Sequence, residues 1–130
     1  VNLPHIDNYH SMDDNLGDIS LYDVDPFDFI RLIKNAEFVV TDSFHGSVFS
    51  ILMHKKFITF YRKPASEKGN TNSRIDSLFN LLGLGDRLFK EDIYSSIKRN
   101  IDWDYVDNKV SDMRRDSLEF LKKGLELSFR

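Results

Sequence analysis

Apolar residues first fall into a helical rhythm after Asp25. Phe27, Ile30, Ile33 and Ala36 recur in steps of three, Phe29 and Leu32 widen the stripe, and Arg31, Lys34 and Asn35 lie outside it. Asp25-Pro26 supplies the start signal: an N-cap carboxylate, proline in the first helical position, and Asp28 in the first turn. The pattern then changes. Glu37-Phe38-Val39-Val40-Thr41-Asp42 carries consecutive apolar residues, as in a strand covered on both faces. Ser43 caps a second helix from Phe44 to about His54, with Val48, Phe49, Ile51 and Leu52 apolar around much of its girth. Lys55-Lys56 interrupts it, and Phe57-Ile58-Thr59-Phe60-Tyr61 is aromatic and β-branched, a second strand. Strand, helix and strand with short joints predict a βαβ unit with parallel strands, an α/β fold.

Upstream, residues 1–24 read mostly as loop. Val1 to Leu3 form the end of a strand closed by Pro4, and a turn falls at Asn15-Leu16-Gly17-Asp18. Downstream, Arg62 to Asn72 is a polar loop, and a third helix from Ser73 to Leu82 stops at Gly83, a C′ glycine. A short helix near Asp92–Arg99, an extended Ile101–Tyr105 and a final amphipathic helix, Val106 to Leu127, complete the chain. That last helix lies on the surface of its own domain or offers a face to a partner.

Composition narrows the class. At 130 residues, 41% hydrophobic and 30% charged, the chain has the size and balance of a single globular domain. A net charge of −3 gives no basic field for nucleic acid. The absence of cysteine excludes disulfides, thiolate metal sites and a thiol nucleophile, and fits a reducing compartment. Eleven Phe and five Tyr supply a substantial core, to which Phe27, Phe29, Phe38, Phe44, Phe49, Phe57 and Phe60 are assigned. No apolar run is long enough to span a bilayer. The chain opens Val-Asn-Leu-Pro with no signal-peptide pattern, and we read it as part of something longer.

In an open parallel sheet, function gathers outside the carboxyl ends of the strands. That rule selects Thr41-Asp42-Ser43-Phe44-His45-Gly46 and the segment from Arg62 to Arg74. The first is a helix N-terminus whose free N–H groups and dipole favour an anion. Ser43 adds a hydroxyl, His45 a titratable imidazole, and Gly46 room for close backbone approach. The second brings Arg62, Lys63, Lys68 and Arg74 against Glu67 alone. A phosphate or carboxylate suits the gap between them. Each residue has a plainer role open to it. Ser43 and Asp42 serve as cap and turn residues, and the lysines and Arg62 as solvated loop. His5, Asp7, His10, Asp13 and Asp14 have ligand types that suit zinc or manganese, but their spacing fits no familiar metal site, and we assign no metal.

The run Leu21-Tyr22-Asp23-Val24-Asp25-Pro26, Phe29 through Ala36, Thr41-Asp42-Ser43-Phe44-His45-Gly46, Val48 through Ile51, Asn72-Ser73-Arg74-Ile75 and Leu81-Leu82-Gly83-Leu84 resembles the C-terminal half of the polysaccharide pyruvyl transferase family. The resemblance extends from about Leu21 to Leu88. It implies a Rossmann-like parallel sheet flanked by helices, with residues 1–130 a single domain corresponding to the C-terminal domain of a GT-B-like two-domain enzyme. It also implies transfer of the enolpyruvyl carbons of phosphoenolpyruvate to a sugar, as a ketal, with no cofactor. His45 matches the family's catalytic histidine within a His-Gly step, and Asp42, Ser43, Phe44, Gly46, Arg62, Lys63, Asn72 and Arg74 are its expected substrate-binding residues.

Many members carry Arg-Leu-His-Gly where this chain has Ser43-Phe44-His45-Gly46, so the anion-binding task of that arginine falls here to Arg62 or Arg74. The implied partners are phosphoenolpyruvate, a sugar or lipid-linked oligosaccharide acceptor, and a missing N-terminal domain without which the piece is inactive. The implied place is the cytoplasm of a bacterium, at the inner face of the membrane. Two other readings remain: a GT-B glycosyltransferase with a nucleotide-sugar donor, and a non-catalytic scaffold in polysaccharide biosynthesis.

Overall fold

A computed structural model describes residues 1–4, 17–62, 72–90 and 92–128. The chain divides into two compact units, Val1–Ala36 and Glu37–Arg130. Lys63, Lys68, Glu67 and the cluster His5, Asp7, His10, Asp13 and Asp14 lie outside the described residues, as do Asn15 and Leu16 of the expected turn. Among the described residues no helix is long and apolar enough to cross a membrane.

In the first unit Asn2 makes a parallel bridge to Ser20, its N–H donating to the Ile19 carbonyl at 2.7 Å while its carbonyl accepts from Leu21 N–H at 3.0 Å. Helix α1 (Pro26–Asn35) starts as its sequence dictates, with the Asp25 carboxylate accepting from Asp28 N–H at 2.7 Å. The expected stripe needs one correction. Ile33 is buried, but Phe27 is 77% exposed. A helix turns about 100° per residue, so Phe27 shares its face with Arg31 and Lys34, at i+4 and i+7, rather than with Ile33.

The second unit holds β1 (Phe38–Thr41), helix α2 (Phe44–Leu52) and β2 (Lys56–Thr59). The strands are parallel, pairing Phe38 with Lys56 through Thr41 with Thr59, and make a small two-stranded sheet. A lone parallel bridge from Thr59 to Leu88 extends it at one point. The βαβ reading therefore holds at the level of an α/β fold with a parallel pair. Double coverage of the first strand does not hold, since Val40 is 57% exposed.

Helix α2 also departs from expectation. Its buried residues are Gly46, Ser47, Ser50 and Ile51, while Leu52 is exposed. Small side chains let the helix lie close on the sheet, and their hydroxyls are satisfied internally. Ser50 Oγ donates to the Gly46 carbonyl at 2.8 Å, and Ser47 Oγ is 2.8 Å from Thr59 Oγ1.

Helix α3 (Asn72–Leu82) packs Ile75, Phe79 and Leu82 into a core shared with Ile51, Phe57, Leu84 and Val106. The Phe57 and Phe79 rings meet at 5.9 Å, and burial of each contributes roughly 1.5–3 kcal/mol. Gly83 ends α3 at φ +68°, the left-handed turn anticipated for a C′ glycine, and Leu84 N–H closes it on the Phe79 carbonyl at 2.8 Å.

A 3-10 turn, Gly85–Arg87, follows, and then α4 (Ile93–Lys98), capped by Asp92. Arg87 is fully buried. Its guanidinium donates to Asp86 at 2.6 and 3.2 Å and to the carbonyls of Ser96 at 2.8 Å and Arg99 at 3.3 Å, so it fastens α4 to the turn before it. The Arg87 hydrogen bond holds the Asp86 carboxyl below its usual range. Helix α5 (Trp103–Ser128) begins where an extended stretch was expected, because Asp102 accepts from Tyr105 N–H at 3.0 Å and acts as its cap. Only its first turns pack, through Val106 and in part Val110; every residue from 111 to 126 is exposed.

Candidate functional site

The chemistry-bearing residues collect where β1 and β2 end. Thr41 closes β1, and its Oγ1 accepts from Ser43 N–H at 3.0 Å, turning the chain out of the strand. Ser43 then caps α2: its Oγ accepts from Gly46 N–H at 3.3 Å, and its carbonyl accepts from both Ser47 N–H and Ser47 Oγ at 3.0 Å. The capping role open to Ser43 in the sequence is thus occupied, while its hydroxyl proton remains available to a ligand. Gly46 is buried with its Cα directed at the strand. A Cβ there would stand 2.4 Å from Thr41 Oγ1, so the residue answers to helix–strand packing.

His45 is exposed, and its ring lies edge-on to Phe44 at 5.7 Å, with planes 80° apart. Among the described residues neither imidazole nitrogen has a hydrogen-bond partner. Phe44 packs partly on the core, and the Arg74 guanidinium sits over its ring at 5.3 Å from the centroid. One aromatic ring therefore carries the imidazole on one side and a guanidinium on another, brought from helices α2 and α3.

The second cation is differently employed. Arg62 makes a two-point bond to Asp42, Nε to Oδ2 at 3.1 Å and a terminal nitrogen to Oδ1 at 3.3 Å, which closes the exit of β2 onto the exit of β1. Asn72, at the head of α3, is buried and hydrogen-bonded or otherwise engaged. Beside the notch an open groove of about 330 Å³ runs along α3, lined by Phe44, Ser73, Arg74, Ser77, Leu78 and Leu81.

One pair escaped the sequence reading. Tyr61 donates its hydroxyl proton to the Asp76 carboxylate, and this bond pushes the phenol up to about 12, with partial burial and the carboxylate's charge adding to it. A tyrosine at a strand end and an aspartate in the first turns of the next helix are a usable signal only once the topology places the two elements side by side.

A family model described as polysaccharide pyruvyl transferase matches residues 3–64. Over that stretch the chain is similar to the polysaccharide pyruvyl transferase family. It takes in β1, the whole of Thr41 to Gly46, β2 and Arg62, and it ends before α3, so Asn72 and Arg74 lie outside the match. Pyruvyl transferases are transferases of polysaccharide biosynthesis. No curated protein and no solved structure gives a significant match to the chain.

Proposed function

We propose that the protein moves the enolpyruvyl carbons of phosphoenolpyruvate onto two hydroxyls of a surface-polysaccharide sugar, and that residues 1–130 are the donor-side, C-terminal domain of a GT-B-like two-domain enzyme. The observation that carries this reading is His45, exposed in the first turn of α2 within the matched stretch and sharing the Phe44 ring with Arg74. A donor bearing a phosphate and a carboxylate suits that charge arrangement. Backbone N–H groups at the α2 start and the Ser43 hydroxyl meet one anionic group, and Arg74 meets the other, with Arg62 free to join once it leaves Asp42. Lys63 and Asn72 complete the proposed seat.

The chemistry asks for an acid, a base and anion stabilisation. A proton delivered to the methylene carbon makes C2 electrophilic. A sugar hydroxyl adds to C2 and gives up its proton, phosphate departs with the C2–O electron pair, and a second hydroxyl closes the ketal, losing its own proton. The two protons released balance those taken by the methyl group and by the departing phosphate. His45, as imidazolium, donates the first proton or holds the phosphate. No cofactor takes part. The acceptor, free or lipid-linked, approaches from the partner domain, and the reaction belongs to the cytoplasm at the inner membrane face, where the donor metabolite is found. The piece alone transfers nothing.

The test is His45→Ala in the full-length protein, following phosphate release from phosphoenolpyruvate with acceptor sugar. Loss of about 10²–10⁴-fold in turnover is expected for a general acid. Unchanged turnover removes His45 from the chemistry. A thermal-shift comparison of phosphoenolpyruvate with UDP- and GDP-sugars separates pyruvyl from glycosyl transfer, and the absence of any shift points to a scaffold.

A further inference from the structure

Two consecutive residues leave β2, and each ties down a different wall of the notch. Arg62 bonds Asp42 at the exit of β1, and Tyr61 bonds Asp76 on α3. Asp76 lies two residues beyond Arg74 and one beyond Ile75, whose side chain is in the core. Helix α3 also buries Ile75, Phe79 and Leu82, an apolar stripe that fixes its distance from the sheet. Apolar contact is non-directional, so such a stripe leaves rotation and sliding of the helix weakly determined. A hydrogen bond is directional and sets both.

In an inference that rests on the anion seat proposed for this notch, we infer that Tyr61 and Asp76 are positioning residues, whose hydrogen bond locks the first turns of α3 to the end of β2 and so holds the Arg74 guanidinium over Phe44, beside His45. Neither side chain touches the substrate in this role. The raised pKa of the Tyr61 phenol agrees with a proton kept on the phenol and donated to the carboxylate rather than one exchanged in turnover. The arrangement also accounts for a cation placed near a helix start, where the dipole opposes it. Arg74 is held there by its aromatic neighbour and by the tie that follows it.

The test uses the full-length protein with Tyr61→Phe, Asp76→Ala and Asp76→Asn, each alone and combined with Arg74→Ala. Tyr61→Phe removes one oxygen from a partly exposed ring, and a thermal midpoint confirms that each variant is folded. The first readout needs no ligand: the NMR signals of the Arg74 Nε–H and of the Phe44 ring. Tyr61→Phe and Asp76→Ala are expected to move both toward their unstacked positions, and Asp76→Asn, which keeps an acceptor oxygen, to restore them.

The second readout is the dissociation constant for phosphoenolpyruvate. Tyr61→Phe weakens binding about fivefold when Arg74 is present and leaves it unchanged when Arg74 is alanine. Unmoved Arg74 and Phe44 signals in both breaking variants overturn the inference. So does an equal loss of affinity in the two backgrounds, because Tyr61 would then act by some route other than Arg74. Moved signals in a protein that does not bind phosphoenolpyruvate uphold the positioning role and overturn the donor assignment instead.

Discussion

Gly46→Ala isolates the packing that sets the height of α2. The added Cβ would lie 2.4 Å from Thr41 Oγ1, 3.2 Å from Thr41 Cβ and 3.3 Å from Thr41 Cγ2. Thr41 is β-branched and stiff at χ1, so it does not swing aside cheaply. If it rotates, Ser43 N–H loses the acceptor that now sits at 3.0 Å, a cost of about 1 kcal/mol. If it stays, the helix start must lift, with overpacking strain of about 1–3 kcal/mol. Against this stands the better helix propensity of alanine, about 1 kcal/mol. The net expectation is a loss of up to about 2 kcal/mol, read as a lower urea midpoint at unchanged m. Thr41→Ala removes the nearest atom, so the double variant is expected to be more stable than the sum of the two single losses predicts. A Gly46→Ala protein more stable than the parent, or a strictly additive double variant, would refute the close approach of helix and strand.

Asp42→Asn frees Arg62 from a pair whose side chains are 50% and 33% exposed, a contact of about 0.2–1 kcal/mol. Affinity for phosphoenolpyruvate in the full-length protein should therefore rise up to about fivefold by calorimetry, and weaker binding would make Asp42 part of the seat rather than a competitor for it. Arg87→Met strips the donor from Asp86 and from the Ser96 and Arg99 carbonyls, with an expected loss of about 3 kcal/mol in urea melts. Because the folded Asp86 carboxyl is depressed below 3.8, its stabilisation is present above that pH and disappears as the pH falls through the folded value; Arg87→Met should remove this acid limb. The raised Tyr61 phenol has the opposite sense. Its contribution is complete below pH 10 and is lost as the pH rises toward about 12, so Tyr61→Phe should flatten the alkaline decline in urea midpoint.

Features set by neighbouring residues were legible in the sequence. The Asp25-Pro26 start, the Ser43 cap and the Gly83 stop all rest on bonds spanning a few residues, and each stands where local chemistry put it. What misled was the equation of apolar with buried. Phe27, Val40 and Leu52 are exposed, whereas Gly46, Ser47 and Ser50 join Ile51 on the covered face of α2, because a helix pressed on a sheet needs small groups as well as greasy ones. Ile101 to Tyr105 carried strand-forming side chains, but the Asp102 cap decided for a helix. The burial of the Arg87 guanidinium carries no local signal, because its four acceptors come from residues up to twelve positions away. At the notch, the imidazole, the hydroxyl and the two arginines were all nameable in advance. That Arg62 would be engaged by Asp42, and that Tyr61 would reach Asp76, depended on which strand ends beside which helix.

Beside Ile51, the buried face of α2 carries only a hydrogen atom and two hydroxymethyl groups, at Gly46, Ser47 and Ser50. The imidazole on the opposite wall of that helix inherits its elevation from this spacer. Loops that meet a ligand can drift and re-tune what they recognise, but the spacer has a vocabulary of only the smallest side chains. The address of the imidazole is thus written largely in positions that carry no titratable group of their own.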